Sequence, residues 1–193
     1  MQPLLSILIP TLRSRADKLS KLLNRLEFQR QTKPVQLLWI GDNKSITVGE
    51  KRNMLLAASK GEWVCFVDDD DEVSDRYLEL ILDTIKNNPT KKLITFYGNQ
   101  TDNGIPTLDF KYSRAYGRNH KPKIDGKYWK VMYPDHLCVW KKDIVKEVFP
   151  DKQLGEDHDW AREMSNHYSD DDIIEIQEYL YHYHFNRGLT ECR

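Results

Sequence analysis

The chain has 193 residues, 39% of them hydrophobic and 11% aromatic, which suffices for one sizeable core and argues against a second full domain. Its 29 basic and 30 acidic side chains leave a formal net charge of −1, which excludes a global preference for polyanions or polycations. Any such preference must be local.

The opening MQPLLSILIP holds an apolar run too short for a signal peptide, and no later run approaches membrane-spanning length. Cys65, Cys138 and Cys192 are an odd number spaced too far apart for a metal-ligand pair, so a reducing, cytoplasmic setting is expected. Leu4 to Ile9, ended by Pro10, predicts a buried strand. Leu19, Leu22, Leu23 and Leu26 then recur at helical spacing. Val35 to Ile40 is a second strand, ending at Gly41-Asp42-Asn43, and Gly49 to Lys60 reads as a helix stopped by Gly61. Trp63 to Val67 is a third strand that runs into Asp68, Asp69, Asp70 and Asp71. A helix is predicted beyond Ser74 as N-cap, with Leu78, Ile81, Leu82 and Ile85 on one face.

This alternation of strand and helix implies a largely parallel sheet covered on both faces, whose ligands sit at the carboxyl ends of the strands. Arg13, Asp42 and the four aspartates all follow strand ends and share one rim. The second half is less regular. Leu93 to Tyr97, Leu137 to Trp140 and Ile173 to Phe185 read as strands, Asn103-Gly104 as a turn, and Lys141 to Val148 and Asp157 to His167 as helices. Phe110 to Met132 is polar and aromatic with weak periodicity.

Four adjacent carboxylates repel one another, and a hard divalent cation such as Mg²⁺ or Mn²⁺, with a diphosphate completing its ligands, would neutralise them. The plainer alternative is a solvated loop whose aspartates cap the next helix. A calcium loop fits poorly, because Val73 stands where that loop needs glycine. Asp69, Asp71 and Val73 also resemble the nucleophile motif of dehalogenase-type phosphatases.

SILIPT, GDN, GEKRN, GEWVCFVDDDD and GEDHDW occur in the order seen in family 2 glycosyltransferases of GT-A fold, and the chain resembles that family from about Ser6 to about Arg187. The likeness is weakest between Thr101 and Pro134. It departs at Gly41-Asp42-Asn43, where the family more often has two adjacent aspartates, a feature that bears on base recognition. The resemblance implies an α/β fold with a mixed, mainly parallel sheet flanked by helices. It implies one catalytic domain over 1–193, with nucleotide-sugar binding in 1–100 and acceptor binding with the catalytic base in 101–193. The implied activity is inverting and metal-dependent, moving a sugar from a nucleotide-diphosphate donor, expected to be a UDP-sugar, to a hydroxyl of a glycan or glycoconjugate.

Residue by residue, the resemblance implies that Thr11, Arg13 and Asp42 line the nucleoside pocket, with Arg52 near it. Asp68 meets ribose or donor sugar, Asp69 counts among the donor-binding residues, and Asp70 ligates the metal. His182 and His184 share one strand face, and His184 is taken as the further metal ligand. Asp157 matches the family's catalytic base, which must remove the acceptor proton as oxygen attacks the anomeric carbon. The alternative for Glu156-Asp157 is simple stabilisation of a helix N-terminus.

From Lys111 to Lys130 the chain carries Lys111, Arg114, Arg118, Lys121, Lys123, Lys127 and Lys130 against Asp125 alone, interleaved with Tyr112, Tyr116, Tyr128 and Trp129. Such a mixture suits phosphates and stacked rings, so nucleic acid bearing hydroxylated bases is a second acceptor class, and a solvated loop the alternative. A phosphatase leaves GEKRN and GEDHDW unexplained. A non-catalytic binding domain has no need of Asp157 beside the acidic turn. A nucleotidyltransferase would need a glycine-rich basic loop that is missing after Pro10-Thr11.

Overall fold

A computed structural model describes residues 2–115, 123–124 and 127–185. Strand β1 (Leu5–Leu12) pairs in parallel with β2 (Val35–Asp42) on one side and β3 (Trp63–Phe66) on the other. Their links are helices α1 (Ala16–Arg30) and α2 (Val48–Ala58), as parallel pairing requires. A two-residue strand β4 (Glu72–Val73) follows the aspartates and leads to α3 (Tyr77–Asn87). Strands β5 (Leu93–Asp102) and β6 (Ile105–Tyr112) form a hairpin across Asn103-Gly104, whose φ values of 50° and 81° suit a tight turn. Beyond them come β7 (Lys123–Ile124), β8 (Lys127–Met132), β9 (Val139–Lys141), helix α4 (Glu156–Met164) and β10 (Ile173–Phe185).

The sheet runs in the order β2-β1-β3-β9-β5-β6-β8-β7, with β10 parallel to β5 and antiparallel to β4. Successive residues of β3 point to opposite faces. Cys65 meets the Tyr77 hydroxyl of α3 at 3.6 Å, whereas the Phe66 ring packs on Phe149, itself stacked on Trp160 of α4 at 4.6 Å. Helices therefore cover both sides of β3. Strands β1 and β3 are buried along their whole length, which is why they read as unbroken apolar runs. Cys65 and Cys138 are buried free thiols, and Cys192 lies outside the described residues. No helix among the described residues is long and apolar enough to cross a membrane.

Two expected elements differ. The Lys141–Val148 helix is only a 3-10 turn over Lys142–Ile144. Lys142 is held instead to the segment just before β3, its N–H on the Glu62 carbonyl at 2.8 Å and its ammonium on the Ser59 carbonyl at 2.5 Å. Ser74 does not cap α3, which starts behind Arg76. The Ser74 N–H is already engaged by the Leu180 carbonyl of β10 at 3.0 Å, so its backbone belongs to the sheet side of the turn.

Candidate active site

The four aspartates leave β3 and divide into two pairs. Asp69 is buried, accepting the Thr11 hydroxyl at 2.5 Å and Arg15 Nη1 at 2.8 Å. Asp71 is buried too, accepting the Tyr181 hydroxyl at 2.7 Å and the His184 backbone N–H at 2.8 Å. These two fasten the turn to β1 and β10. They are the pair a dehalogenase-type phosphatase would have to present to substrate; Asp71 does not line the cavity, and Asp69 reaches it with both oxygens already engaged by Thr11 and Arg15. Asp68 and Asp70 keep about a quarter of their side-chain surface exposed and line a cavity of about 410 Å³ that Asp69 and His184 also reach, together with Arg15, Lys18, Lys51, Arg52, Tyr183 and Phe185.

Around Asp68 lies a buried charge network. The Arg52 guanidinium sits over the Phe66 and Phe149 rings at 5.7 and 5.6 Å and pairs with both Asp68, at 3.0 Å, and Glu156. Burial opposes its charge, but Asp68 and Glu156 hold it firmly protonated. Burial likewise works against ionised Asp68, yet Arg52 and His136 keep that carboxyl well below the usual range. Glu156 is raised by burial in spite of Arg52. Asp157, one residue further into α4, is a third exposed, with Oδ2 3.9 Å from His136 Nδ1. Gly155, at φ 74°, supplies the left-handed turn from which both acids enter the helix.

Asp70 is a partly exposed carboxylate of the turn that could take a cation. Burial raises its carboxyl, Arg15 pulls it back, and Asp68 and Asp69 push it up again, leaving a net rise. Added positive charge at this oxygen would remove that penalty, so a hard divalent ion suits it. Among the described residues, however, no three His, Cys, Asp or Glu side chains already form a metal-binding group.

Several expected residues stand elsewhere. The His184 ring is held by the Thr101 hydroxyl at 3.0 Å and lies 3.8 Å from Glu72, while His182 faces Asn99 at 2.9 Å. His184 lines the cavity, but strand alternation puts both imidazoles on the face opposite Tyr181 and Tyr183, and the contact of His184 with the acidic turn is through its backbone N–H to Asp71. Asp42 does not line the cavity. Its Oδ2 accepts the Ser45 and Ile46 N–H groups and its carboxylate pairs with buried Lys51. Burial works against it, but Lys51 and these N–H donors hold its pKa far below normal. Arg13 is exposed in a 3-10 turn, and it is Arg15 and Lys18 that reach Asp70, at 3.2 and 3.6 Å. In the basic stretch, Lys111 lies over the Trp129 ring at 5.6 Å and Arg114 bonds the Ser165 carbonyl at 3.3 Å; neither lines the cavity. Arg118 and Lys121 lie outside the described residues.

Sequence reasoning missed Arg15, Lys18, His136, Tyr181 and Tyr183. Arg15 and Lys18 carried a signal, two cations one turn apart just after the first strand. Tyr183 stacks on Phe185 at 6.5 Å and forms an aromatic wall of the cavity. Its hydroxyl is raised by burial and by the surrounding Asp71, Asp68, Asp70 and Asp157.

The sequence model of glycosyl transferase family 2 matches residues 16–149, more than half of the chain. The chain belongs to glycosyl transferase family 2. As a whole fold this family 2 domain is similar to Staphylococcus aureus TarS 1-349, with TM-score 0.65 and 16% identity over 95% of this chain and 60% of that one. It is similarly close to TarS 1-349 in complex with UDP-GlcNAc, with TM-score 0.64 and 17% identity over 95% of this chain and 58% of that one. The TarS complex with UDP gives TM-score 0.65 and 17% identity over 95% and 60%. The domain thus spans about three fifths of the TarS chains it matches, and shares their GT-A fold. Sequence comparison with curated proteins gives no match.

Proposed function

We propose that this family 2 domain transfers a sugar, with inversion and in a metal-dependent way, from a UDP-sugar to a hydroxyl of a glycan or glycoconjugate. The observation that carries the reading is the division of labour in the acidic turn: Asp68, Asp69 and Asp70 all line the cavity, but Asp69 is buried and spends its oxygens on Thr11 and Arg15, as Asp71 does on Tyr181 and His184, which leaves Asp68 and Asp70 as the partly exposed carboxylates. The TarS complexes with UDP-GlcNAc and UDP support the choice of nucleotide.

Asp70, with Asp68 beside it, would hold Mn²⁺ or Mg²⁺, which supplies positive charge to the diphosphate as it gains negative charge on leaving. Arg15 and Lys18 bring further positive charge to the same side of the cavity. Tyr183 and Phe185 offer ring faces to a planar or sugar group. Asp157 takes the acceptor proton while the acceptor oxygen bonds to the anomeric carbon, and the bond from that carbon to the β-phosphate oxygen breaks with its electron pair leaving on UDP. No covalent sugar intermediate is required.

Titration calorimetry with Mn²⁺ or Mg²⁺ present tests the donor site. UDP should bind, and more weakly when the metal is withheld. Failure of UDP, GDP, CDP and dTDP alike to bind at millimolar concentration would falsify the donor-site reading.

A further inference from the structure

His136 has a fixed backbone and an unusual ring environment. Its carbonyl accepts the Phe66 N–H at 3.0 Å, which locks it beside the end of β3, and its ring meets Phe66 edge-on at 6.2 Å. Nε2 lies 3.0 Å from Arg52 Nη2 and 3.5 Å from Asp68 Oδ2. A guanidinium can only donate, so the shorter contact is a hydrogen bond only when Nε2 turns its lone pair toward Arg52, and the proton of a neutral imidazole then resides on Nδ1. A doubly protonated ring carries a proton there as well. Nδ1 is buried and has no hydrogen-bond partner, and it faces Asp157 Oδ2 at 3.9 Å. Buried donors in native proteins are almost always satisfied, so an orphan of this kind asks for an explanation. The other charged groups around the ring are Arg52 from α2, Asp68 from the end of β3, Glu156 from α4 and the adjacent Asp135.

We infer that His136 is a positioning residue for Asp157: its Nδ1–H holds Oδ2 of that carboxylate, leaving Oδ1 to meet the acceptor hydroxyl. The inference rests on reading Asp157 as the base. Asp157 is a third exposed and free to close the gap by a small side-chain rotation, whereas His136 is fixed from three sides. The same imidazole touches Asp68 on the donor side of the site, so it links the wall of the donor cavity to the group that deprotonates the acceptor.

The direct test is nitrogen NMR of the full chain labelled at histidine, which reads the tautomer without any substrate. The His136 resonances should report a proton on Nδ1, and Asp157→Asn should shift the Nδ1 signal more than any other imidazole nitrogen. A ring protonated on Nε2 alone, or an Nδ1 signal indifferent to Asp157→Asn, overturns the inference whatever Asp157 does in catalysis. Turnover gives the second arm, read as UDP release from UDP-GlcNAc with Mn²⁺. Asn places its amide donor near Nδ1 and Gln near Nε2, so His136→Gln should lose about tenfold to a hundredfold in kcat with UDP affinity retained, and His136→Asn should recover much of that loss. Equal losses in both variants, or a loss confined to UDP affinity, count against the inference. A fully active Asp157→Asn enzyme would sink the base assignment by itself, and the tautomer result would still stand.

Discussion

Arg52 is 3% exposed and answers two carboxylates and an imidazole at once. Removing it strands Glu156 and Asp68 in a site built around its charge, and breaking a buried pair from one side costs about 3–5 kcal/mol. Arg52→Met should therefore lower the unfolding free energy by that order, seen as a lower urea midpoint at unchanged slope, and a midpoint near that of the native chain would show that the network contributes little. Asp157 makes the opposite prediction. Asp157→Asn preserves size and should leave UDP binding and stability nearly unaltered, while sugar transfer falls by a factor of about a hundred to ten thousand, the usual worth of a positioned base. Transfer at near-native rate would remove Asp157 from the mechanism. Residues of this kind were legible to the extent that they form runs. Four consecutive aspartates and the GEDHDW motif announce themselves, whereas His136 sits in PDHLCVW with nothing local to mark it, and acquires its neighbours only through β3, α2 and α4. Asp42 misled for the complementary reason: its position after a strand is that of a ligand-binding residue, but its oxygens are consumed by its own loop and by Lys51.

At the scale of elements, the first half of the chain was readable because β1 and β3 are short apolar runs and α1 and α3 carry stripes of Leu and Ile. The Lys141–Val148 segment has the composition of a helix but joins β9 to the Phe149 ring stack, and tertiary contacts outweigh propensity there. The join between that segment and α4 is set by two glycines. Gly49 lies so close to Pro150 that an added Cβ would stand 2.0 Å from its carbonyl oxygen, and Gly155 turns the chain into α4 with φ 74°. Gly155→Ala meets open space, so its effect is backbone strain alone, about 1 kcal/mol. We expect a loss of stability of that size in chemical denaturation and a larger proportional loss in turnover, because Glu156 and Asp157 follow directly. Unchanged turnover would indicate that the approach to α4 is free to adjust.

For the whole molecule the carboxylates pull stability in opposite directions with pH. Burial, reinforced by Asp68, lifts Asp71 well above the ordinary aspartate value of 3.8, and burial also raises Asp135 and Glu156. Between their ordinary and raised values the native state binds the extra protons, so stability should grow as pH falls through that window. Asp42 and Asp68 are held below 3.8, so beneath that pH the unfolded chain binds protons that the native state refuses, and stability should then fall. Urea melts from about pH 8 to about pH 3 should show a maximum on the acid side of neutrality. A steady decline from pH 7 downward would mean that the depressed pair outweighs the raised groups. The sheet order has a further consequence, for how the chain comes to be folded. Strand β9 is inserted between β3 and β5, pairing antiparallel with both, although more than thirty residues separate it in sequence from the end of β5. Until Val139–Lys141 has left the ribosome, β3 and the start of β5 each present an unpaired edge, and nothing made earlier fills that gap. Folding during synthesis must wait for it, so a fragment ending at residue 100 should emerge unstructured and prone to aggregate rather than as an autonomous nucleotide-binding lobe.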